Sequence, residues 1–165
     1  MMISDAMNEK LNRQISVEFA AAHAYLGMSC AFDAMGLKVL RERFFGQYEE
    51  ECAHALKILN YVLEVGGRVD LEGVAKPKGA YKSVQEIVET ALESELEVTR
   101  LINELVSLSE KDSDYATRSF LNWYVDEQVE EVASMSGLLR LIQLAKGNVL
   151  QVEARLRHEM VAGKP

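Results

Sequence analysis

Glutamate residues recur in this sequence at intervals that repeat from one half of the chain to the other. In each half, a single glutamate is followed 33 and 36 residues later by two further polar residues. The six positions are Glu18, Glu51 and His54 in the first half, and Glu95, Gln128 and Glu131 in the second. Carboxylates with one imidazole and no thiolate are ligands that suit Fe(II), Mn(II) or Zn(II). The pattern therefore predicts a site in which four carboxylates neutralise two divalent cations.

The two expected cations have different sets of ligands that share one glutamate. Glu18, Glu51 and His54 would hold the first cation. Glu95 and Glu131 would hold the second, with Glu51 as the bridge between the two ions. Without metal, some of these carboxylates should stay protonated, because like charges repel one another in a low dielectric. Metal binding should therefore release protons.

Two uncharged residues complete the predicted catalytic set. Gln128 can offer only a neutral oxygen or a hydrogen bond, so the second cation would keep open coordination for dioxygen. Tyr25 follows Glu18 by two helical turns on the same helix face. From that position its side chain could supply an electron or hold a ligand.

Helices must position these residues, because apolar residues recur at helical spacing over most of the chain and no strand pattern competes. We expect an all-α protein, one domain over residues 1–165, with helices at about 4–35, 38–65, 84–110, 114–146 and 149–160. Short connections make the first and second helices antiparallel, and likewise the third and fourth. The loop at about 66–83 is long enough to cross the whole bundle, so the second and third helices can run parallel.

Each of the four long helices carries a seam, meaning a row of residues spaced alternately three and four apart that should face the bundle core. The central acids of the first three seams are Glu18, Glu51 and Glu95. The expected seam of the fourth helix contains Phe120, Tyr124, Glu127, Glu131, Ser134, Leu138 and Leu141. Acidic residues are rarely buried unless they are paired or bind metal, so acids in the middle of all four seams favour a shared metal site. The alternative is that the seams are rotated and the glutamates are solvated.

Composition and charge exclude several other classes of protein. The chain has 165 residues, of which 48% are apolar and 27% charged, unlike a disordered chain or a disulfide scaffold. It contains no run of about 18 apolar residues that could span a membrane. The formal net charge of −8 argues against nucleic acid or an anionic membrane as a partner and is compatible with handling cations. Only two cysteines and no signal-peptide pattern lead us to expect a cytoplasmic protein.

Residues 48–54 and 120–131 resemble the second and fourth helices of bacterial non-haem ferritins. Glu18 with Tyr25, and Glu95 ahead of residues 101–105, extend the resemblance over nearly the whole chain. The resemblance implies a ferritin-like four-helix bundle with a long crossover and a short fifth helix. It also implies a homo-oligomeric shell of 24 subunits that oxidises Fe(II) to Fe(III) with dioxygen or hydrogen peroxide, at a ferroxidase centre within each subunit, and stores ferric mineral.

The resemblance also implies roles for individual residues. The di-iron ligands of the family fall on Glu18, Glu51, His54, Glu95 and Glu131, with Gln128 beside the second iron. A third iron site would use Glu50, Glu127 and Glu130 and share Glu131. Taken from the residues alone, those three acids could equally form a solvated charged face. No haem is expected, because Cys52 stands where the haem-binding bacterioferritins have methionine.

Two other functional classes share this kind of bundle, since a fold does not fix a function. One is a di-iron enzyme of low oligomeric state, such as a peroxidase or substrate oxidase. The other is a non-catalytic metal-binding or scaffolding bundle. The sequence lacks the Cys-x-x-Cys pairs of a rubredoxin-like electron module and has little length to spare for a substrate pocket. These features favour the storage ferritin.

Overall fold

The computed structural model of the chain describes residues 2–162 and consists of five α-helices joined by turns and one long loop. The helices are α1 (Asp5–Ala34), α2 (Lys38–Glu64), α3 (Val84–Lys111), α4 (Tyr115–Leu144) and α5 (Val149–Ala162). Helices α1 to α4 form a bundle, and α5 packs against α2 and α4. Residues 2–162 contain no strand, so the all-α class is confirmed. Over the same residues, no helix combines the length and the apolar character needed to cross a membrane.

Three of the helices begin at side chains that cap them. Ser4, Ser83 and Asp114 each accept a hydrogen bond from the backbone N–H three residues further on, at the starts of α1, α3 and α4. Such caps satisfy N–H groups that have no partner within the helix. At the other end of α1, Gly36 adopts a φ of 77°, a backbone conformation that glycine adopts without steric cost.

The start of α2 is capped by a residue from the far end of the chain. The residue before α2, Leu37, provides no side-chain cap. Instead, the carboxylate of Glu153 in α5 accepts hydrogen bonds from the backbone N–H groups of Val39 at 3.2 Å and Leu40 at 2.8 Å. This carboxylate is 8% exposed. It therefore anchors α5 to the positive end of the α2 dipole.

Contacts between helices establish their directions. Lys10 near the start of α1 donates to Glu104 near the end of α3 at 3.1 Å, so these two helices are antiparallel. Helix α2 is also antiparallel to α1, because only a short turn at residues 35–37 joins them. Helices α2 and α3 consequently run parallel to each other, and the loop between them crosses the length of the bundle. The predicted long crossover is confirmed.

The beginning of the crossover is fixed to α1 by two asparagines. The side-chain amides of Asn8 and Asn12 both donate to the carbonyl of Arg68, at 3.1 and 2.8 Å. Their side-chain oxygens accept from the backbone N–H groups of Arg68 at 2.9 Å and Asp70 at 2.6 Å. At Gly67 an added Cβ would lie 2.5 Å from Asn8 Oδ1. Glycine therefore lets the loop approach α1 closely enough to form these bonds.

The apolar core consists of two clusters with a polar layer between them. One cluster lies towards the α1–α2 turn and includes Tyr25, Phe32, Leu40, Val88 and Met135. The other lies towards the opposite end and includes Leu11, Ile15, Ile58, Ile102 and Leu121. The polar layer contains Glu18, Glu51, His54, Glu95, Gln128 and Glu131, all of them buried. Charged groups at this depth are costly unless something compensates them.

The seam expected for α4 is wrong in part. Tyr124, Glu131 and Leu138 are buried as expected. The residues that alternate with them in the core are Thr117, Leu121, Gln128, Met135 and Ile142, in place of Phe120, Glu127, Ser134 and Leu141. A spacing of four and then three from Tyr124 fits this helix, whereas three and then four had been expected. Both choices pass through the same three residues, and apolar residues occur on both flanks, so the pattern alone did not distinguish them.

Candidate metal centre

All four long helices contribute to the polar layer at mid-length. Helix α1 supplies Glu18 and α3 supplies Glu95, and each of these side chains is 1% exposed. Helix α2 supplies Glu51 and His54, which are one turn apart and therefore on one face. Helix α4 supplies Gln128 and Glu131 with the same spacing. The structure thus brings the six residues of the repeated pattern to one level of the bundle.

Glu18, Glu51 and His54 form the first group able to hold a cation. One donor atom from each residue lies within 4.8 Å of the other two. His54 Nδ1 is 3.4 Å from Glu51 Oε2. Among the described residues, neither Glu18 Oε2 nor Glu51 Oε2 has a hydrogen-bond partner, although both atoms are buried. Buried carboxylate oxygens without donors fit a cation, because a metal ion would satisfy the two atoms together.

Glu95 faces the same layer but is surrounded by neutral donors. Its Oε1 accepts from the Tyr25 hydroxyl at 2.5 Å. Its Oε2 accepts from Gln128 Nε2 at 3.3 Å, and the same amide also donates to the Glu95 carbonyl at 3.1 Å. A neutral oxygen or a hydrogen bond was expected of Gln128, and in this structure its amide donates hydrogen bonds. Tyr25 therefore lies beside Glu95, which was expected to bind the second cation, although Tyr25 is on the same helix as Glu18, which was expected to bind the first.

A second group able to hold a cation lies on the outer side of His54. It consists of His54, Glu127 and Glu131, again with one donor atom each within 4.8 Å. His54 Nε2 is 3.8 Å from Glu127 Oε1, and Glu127 is partly exposed. Each nitrogen of the imidazole therefore faces a carboxylate. His54 lies between the buried oxygens and the more open acidic side of the bundle.

The other two acids proposed for a third iron site lie at the surface. Glu50 and Glu130 are exposed, and neither belongs to the group formed by Glu127 and Glu131. The carboxylate of Glu50 accepts a hydrogen bond from the side chain of Gln47. The structure thus brings Glu127 to the centre and leaves Glu50 and Glu130 on the flank.

Burial raises the pKa of every glutamate in the layer. For Glu18 the cause is burial and then the charge of Glu51, which together hold the pKa well above its usual value. Burial and the charge of Glu95 raise the pKa of Glu51 to about 8 and that of Glu131 to about 7. Burial also raises the pKa of Glu95, against the hydrogen bond from Tyr25. Several of these groups therefore carry protons at neutral pH when no cation is present.

Three residues around the centre were missed by sequence reasoning. Gln14 donates to Glu18 Oε1 at 2.8 Å. The Tyr124 hydroxyl donates to the His54 carbonyl at 2.8 Å and ties α4 to α2. The Trp123 ring contacts His54 edge-on, with 5.3 Å between ring centroids. The i, i+4 spacing of Gln14 and Glu18 is the one signal that could have been used. The other two contacts depend on how α4 packs against α2.

The fold and the site define a four-helix bundle with a buried carboxylate and imidazole centre suited to divalent cations. Residues 8–145 match the family described as Ferritin-like domain. The chain is 40% identical to a bacterial non-heme ferritin of Staphylococcus aureus over 132 residues, covering 80% of each chain. It is 38% identical to the bacterial non-heme ferritin of Staphylococcus haemolyticus over 130 residues. The chain belongs to the ferritin family.

Solved structures agree with this assignment. An open pore ferritin from the archaeon Archaeoglobus fulgidus superimposes with a TM-score of 0.91 at 40% identity, covering 94% of this chain and 96% of that one. A humanized archaeal ferritin superimposes with a TM-score of 0.90 at 39% identity, covering 93% of this chain and 96% of that one. The predicted ferritin-like bundle with a short fifth helix is confirmed.

Proposed function

We propose that this protein is an iron-storage ferritin. It oxidises Fe(II) with dioxygen at the centre within each subunit and keeps the ferric product inside a shell of 24 copies. The observation that carries the proposal is the pair of buried oxygens, Glu18 Oε2 and Glu51 Oε2, that have no hydrogen-bond partner among the described residues. Buried anions are costly unless they are paired, protonated or bound to metal. Hard oxygen donors with one imidazole fit Fe(II).

The site residues have distinct roles in this proposal. Glu18, Glu51 and His54 bind the first Fe(II), and Glu51 extends to a second Fe(II) held by Glu95 and Glu131. Each Fe(II) gives up one electron, so two ions together reduce dioxygen by two electrons. The carboxylates release their protons as the ions bind, since a ligand must be deprotonated. Those protons become available to reduced oxygen.

Gln128 and Tyr25 act on the side of the second iron. Gln128 is neutral and donates to Glu95, so it adds no charge and leaves room for dioxygen. The Tyr25 hydroxyl is 2.5 Å from Glu95 Oε1. If the phenol supplies a further electron to the two-electron-reduced oxygen, Glu95 is in position to accept the phenolic proton.

The acids outside His54 provide a place for a third iron. Glu127 and Glu131 share a possible cation group with His54, and Glu50 and Glu130 lie on the exposed side. Partial burial of the Glu50 carboxyl raises its pKa most; the charge of His54 then lowers this pKa and that of Glu127 raises it. We assign Glu50, Glu127 and Glu130 to this third site.

Exposed apolar side chains support an assembly of several copies. Leu56 and Leu63 of α2 are 49% and 55% exposed and lie on one face of the helix, seven residues apart. Leu71 of the crossover is 60% exposed. Exposed apolar side chains that share one helix face, as Leu56 and Leu63 do, favour a contact with another molecule. We propose that the partner is a further copy of this chain and that the assembled shell works in the cytoplasm.

Iron loading tests both parts of the proposal. The metal-free protein would be given a large excess of Fe(II) in air, and oxygen uptake, particle size and iron per chain would be measured. We expect rapid uptake and a very large particle that contains many more than two irons per chain. About two irons per chain in a small particle would refute the shell and favour a di-iron enzyme. No oxygen uptake would refute the ferroxidase.

Single variants test the site assignment. Glu51→Ala and His54→Ala should abolish rapid oxidation while the assembly persists, because both residues bind the first iron. Glu49→Ala is a matched control, since Glu49 is an exposed glutamate on the same helix. This variant should oxidise iron as the unaltered protein does. Rapid oxidation by both site variants would refute the assignment. Glu130→Ala should leave the first turnover fast and change later ones, and unchanged later turnovers would remove the third site.

A further inference from the structure

Gln14 is a buried polar residue beside the first group able to hold a cation, which consists of Glu18, Glu51 and His54. It lies one helical turn ahead of Glu18 on α1 and is 2% exposed. Its Nε2 donates to Glu18 Oε1 at 2.8 Å. The apolar residues Leu11 and Ile15 flank it in the core. A glutamine here adds less apolar contact than a leucine would, and its amide must be hydrogen-bonded to be tolerated.

The hydrogen bond from Gln14 places the two carboxylate oxygens of Glu18 in different environments. Oε1 is occupied by the amide, whereas Oε2 has no hydrogen-bond partner within residues 2–162 and is buried. The carboxylate therefore cannot rotate freely, and the oxygen that remains available belongs to the group with Glu51 and His54. Residues behind a metal ligand commonly fix its orientation in this way.

We propose that Gln14 is a positioning residue for the first cation, which it serves by holding Glu18 as a ligand that binds through Oε2 alone. The inference rests on the proposed function only in taking Glu18 as a metal ligand. Gln14 itself does not touch the cation. Its contribution is to keep the free oxygen of Glu18 in place before the ion arrives, so that less side-chain freedom is lost on binding.

The corresponding acid of the second half is held differently. Four residues before Glu95 stands Ala91, which cannot donate. Both oxygens of Glu95 accept hydrogen bonds, from Tyr25 and Gln128, so a cation there must displace or rearrange a donor. At Glu18 Oε2 a cation has no amide or hydroxyl donor to displace. We therefore expect the first cation to bind at the Glu18 side and the second to follow.

Zinc binding to the metal-free protein tests this role without any turnover. Gln14→Met keeps the length and bulk of the side chain but removes the donor. Calorimetric titration with Zn²⁺ should show first-site affinity lowered by about 10- to 100-fold, the usual effect of losing a residue that supports a ligand. Gln85→Met is the matched control, because Gln85 donates to Glu89 at the same i, i+4 spacing and 2.8 Å distance on the surface. It should bind Zn²⁺ as the unaltered protein does.

A double variant separates positioning from a general structural effect. If Gln14 acts through Glu18, Gln14→Met should lower Zn²⁺ affinity no further in a Glu18→Gln background. An equal loss in both backgrounds, or unchanged affinity in the single variant, would overturn the proposal. Should Gln14→Met fail to fold, Gln14→Asn would be used, since its side chain is one methylene shorter. If the Gln14 variants change Zn²⁺ affinity as expected but the unaltered protein takes up no oxygen with Fe(II), the ferroxidase is refuted and this inference stands.

Discussion

The capping of α2 by Glu153 leads to a prediction about stability. Glu153→Ala removes the acceptor of two backbone N–H groups, at 2.8 Å from Leu40 and 3.2 Å from Val39. A hydrogen bond to a charged group contributes about 1.5–3 kcal/mol. Because one of the two bonds is long, we expect a total loss of about 2–4 kcal/mol. For a chain of this size, that lowers Tm by roughly 4–16 °C.

Thermal unfolding and hydrogen exchange together check this reasoning. Circular dichroism melting at fixed protein concentration gives the Tm change, and exchange should become faster at the amides of Val39 and Leu40. Glu159→Ala is the matched control, because Glu159 lies on the same helix but is exposed, and among the described residues it pairs only with Arg155. Its loss should cost about 0–1 kcal/mol. If Glu153→Ala melts like that control and both amides stay protected, the carboxylate does not cap α2.

Three further predictions concern the centre and the crossover. The metal-free protein should lose stability as the pH rises from about 5 to 8, because its native carboxylates hold protons that the unfolded chain releases. Glu51→Gln should make stability depend less on pH, and an unchanged dependence would contradict the assignment. Gly67→Ala should cost about 1–3 kcal/mol in chemical unfolding, because its Cβ would collide with Asn8; unaltered stability would show that the loop adjusts freely. Tyr124→Phe should lose about 1 kcal/mol with the bond to the His54 carbonyl, and equal stability would mean that this bond is replaced.

Much of the fold could be predicted because local signals agree with the bundle. Ser4 and Ser83 cap the helices that they precede, and Gly36 ends α1. The crossover followed from loop length, since two antiparallel pairs leave the second and third helices parallel. The acids of the polar layer were found because both halves of the chain repeat the same intervals. When the helices are straight, the number of residues between two side chains fixes how far along the bundle each side chain lies and which helix face it occupies.

Other features could not be predicted because they depend on packing between distant elements. The phase of the α4 seam is decided by which flank meets the other helices, and sequence spacing placed Glu127 where Gln128 is buried. Glu153 caps a helix that starts more than 110 residues earlier. Nothing local marks it, because a single glutamate in a charged helix has no pattern of its own. Such contacts emerge only when the chain is folded.

The polar layer explains why the apolar core is divided. Burial is the largest cause of the raised pKa of all four glutamates, so charged carboxylates in this layer should destabilise the metal-free bundle. The apolar clusters on either side compensate by holding all four helices above and below the layer. The same arrangement keeps the carboxylates fixed when no cation is present. If the polar layer binds metal, as we propose, the apolar clusters on either side maintain its geometry, and a cation that replaces the protons should stabilise the fold.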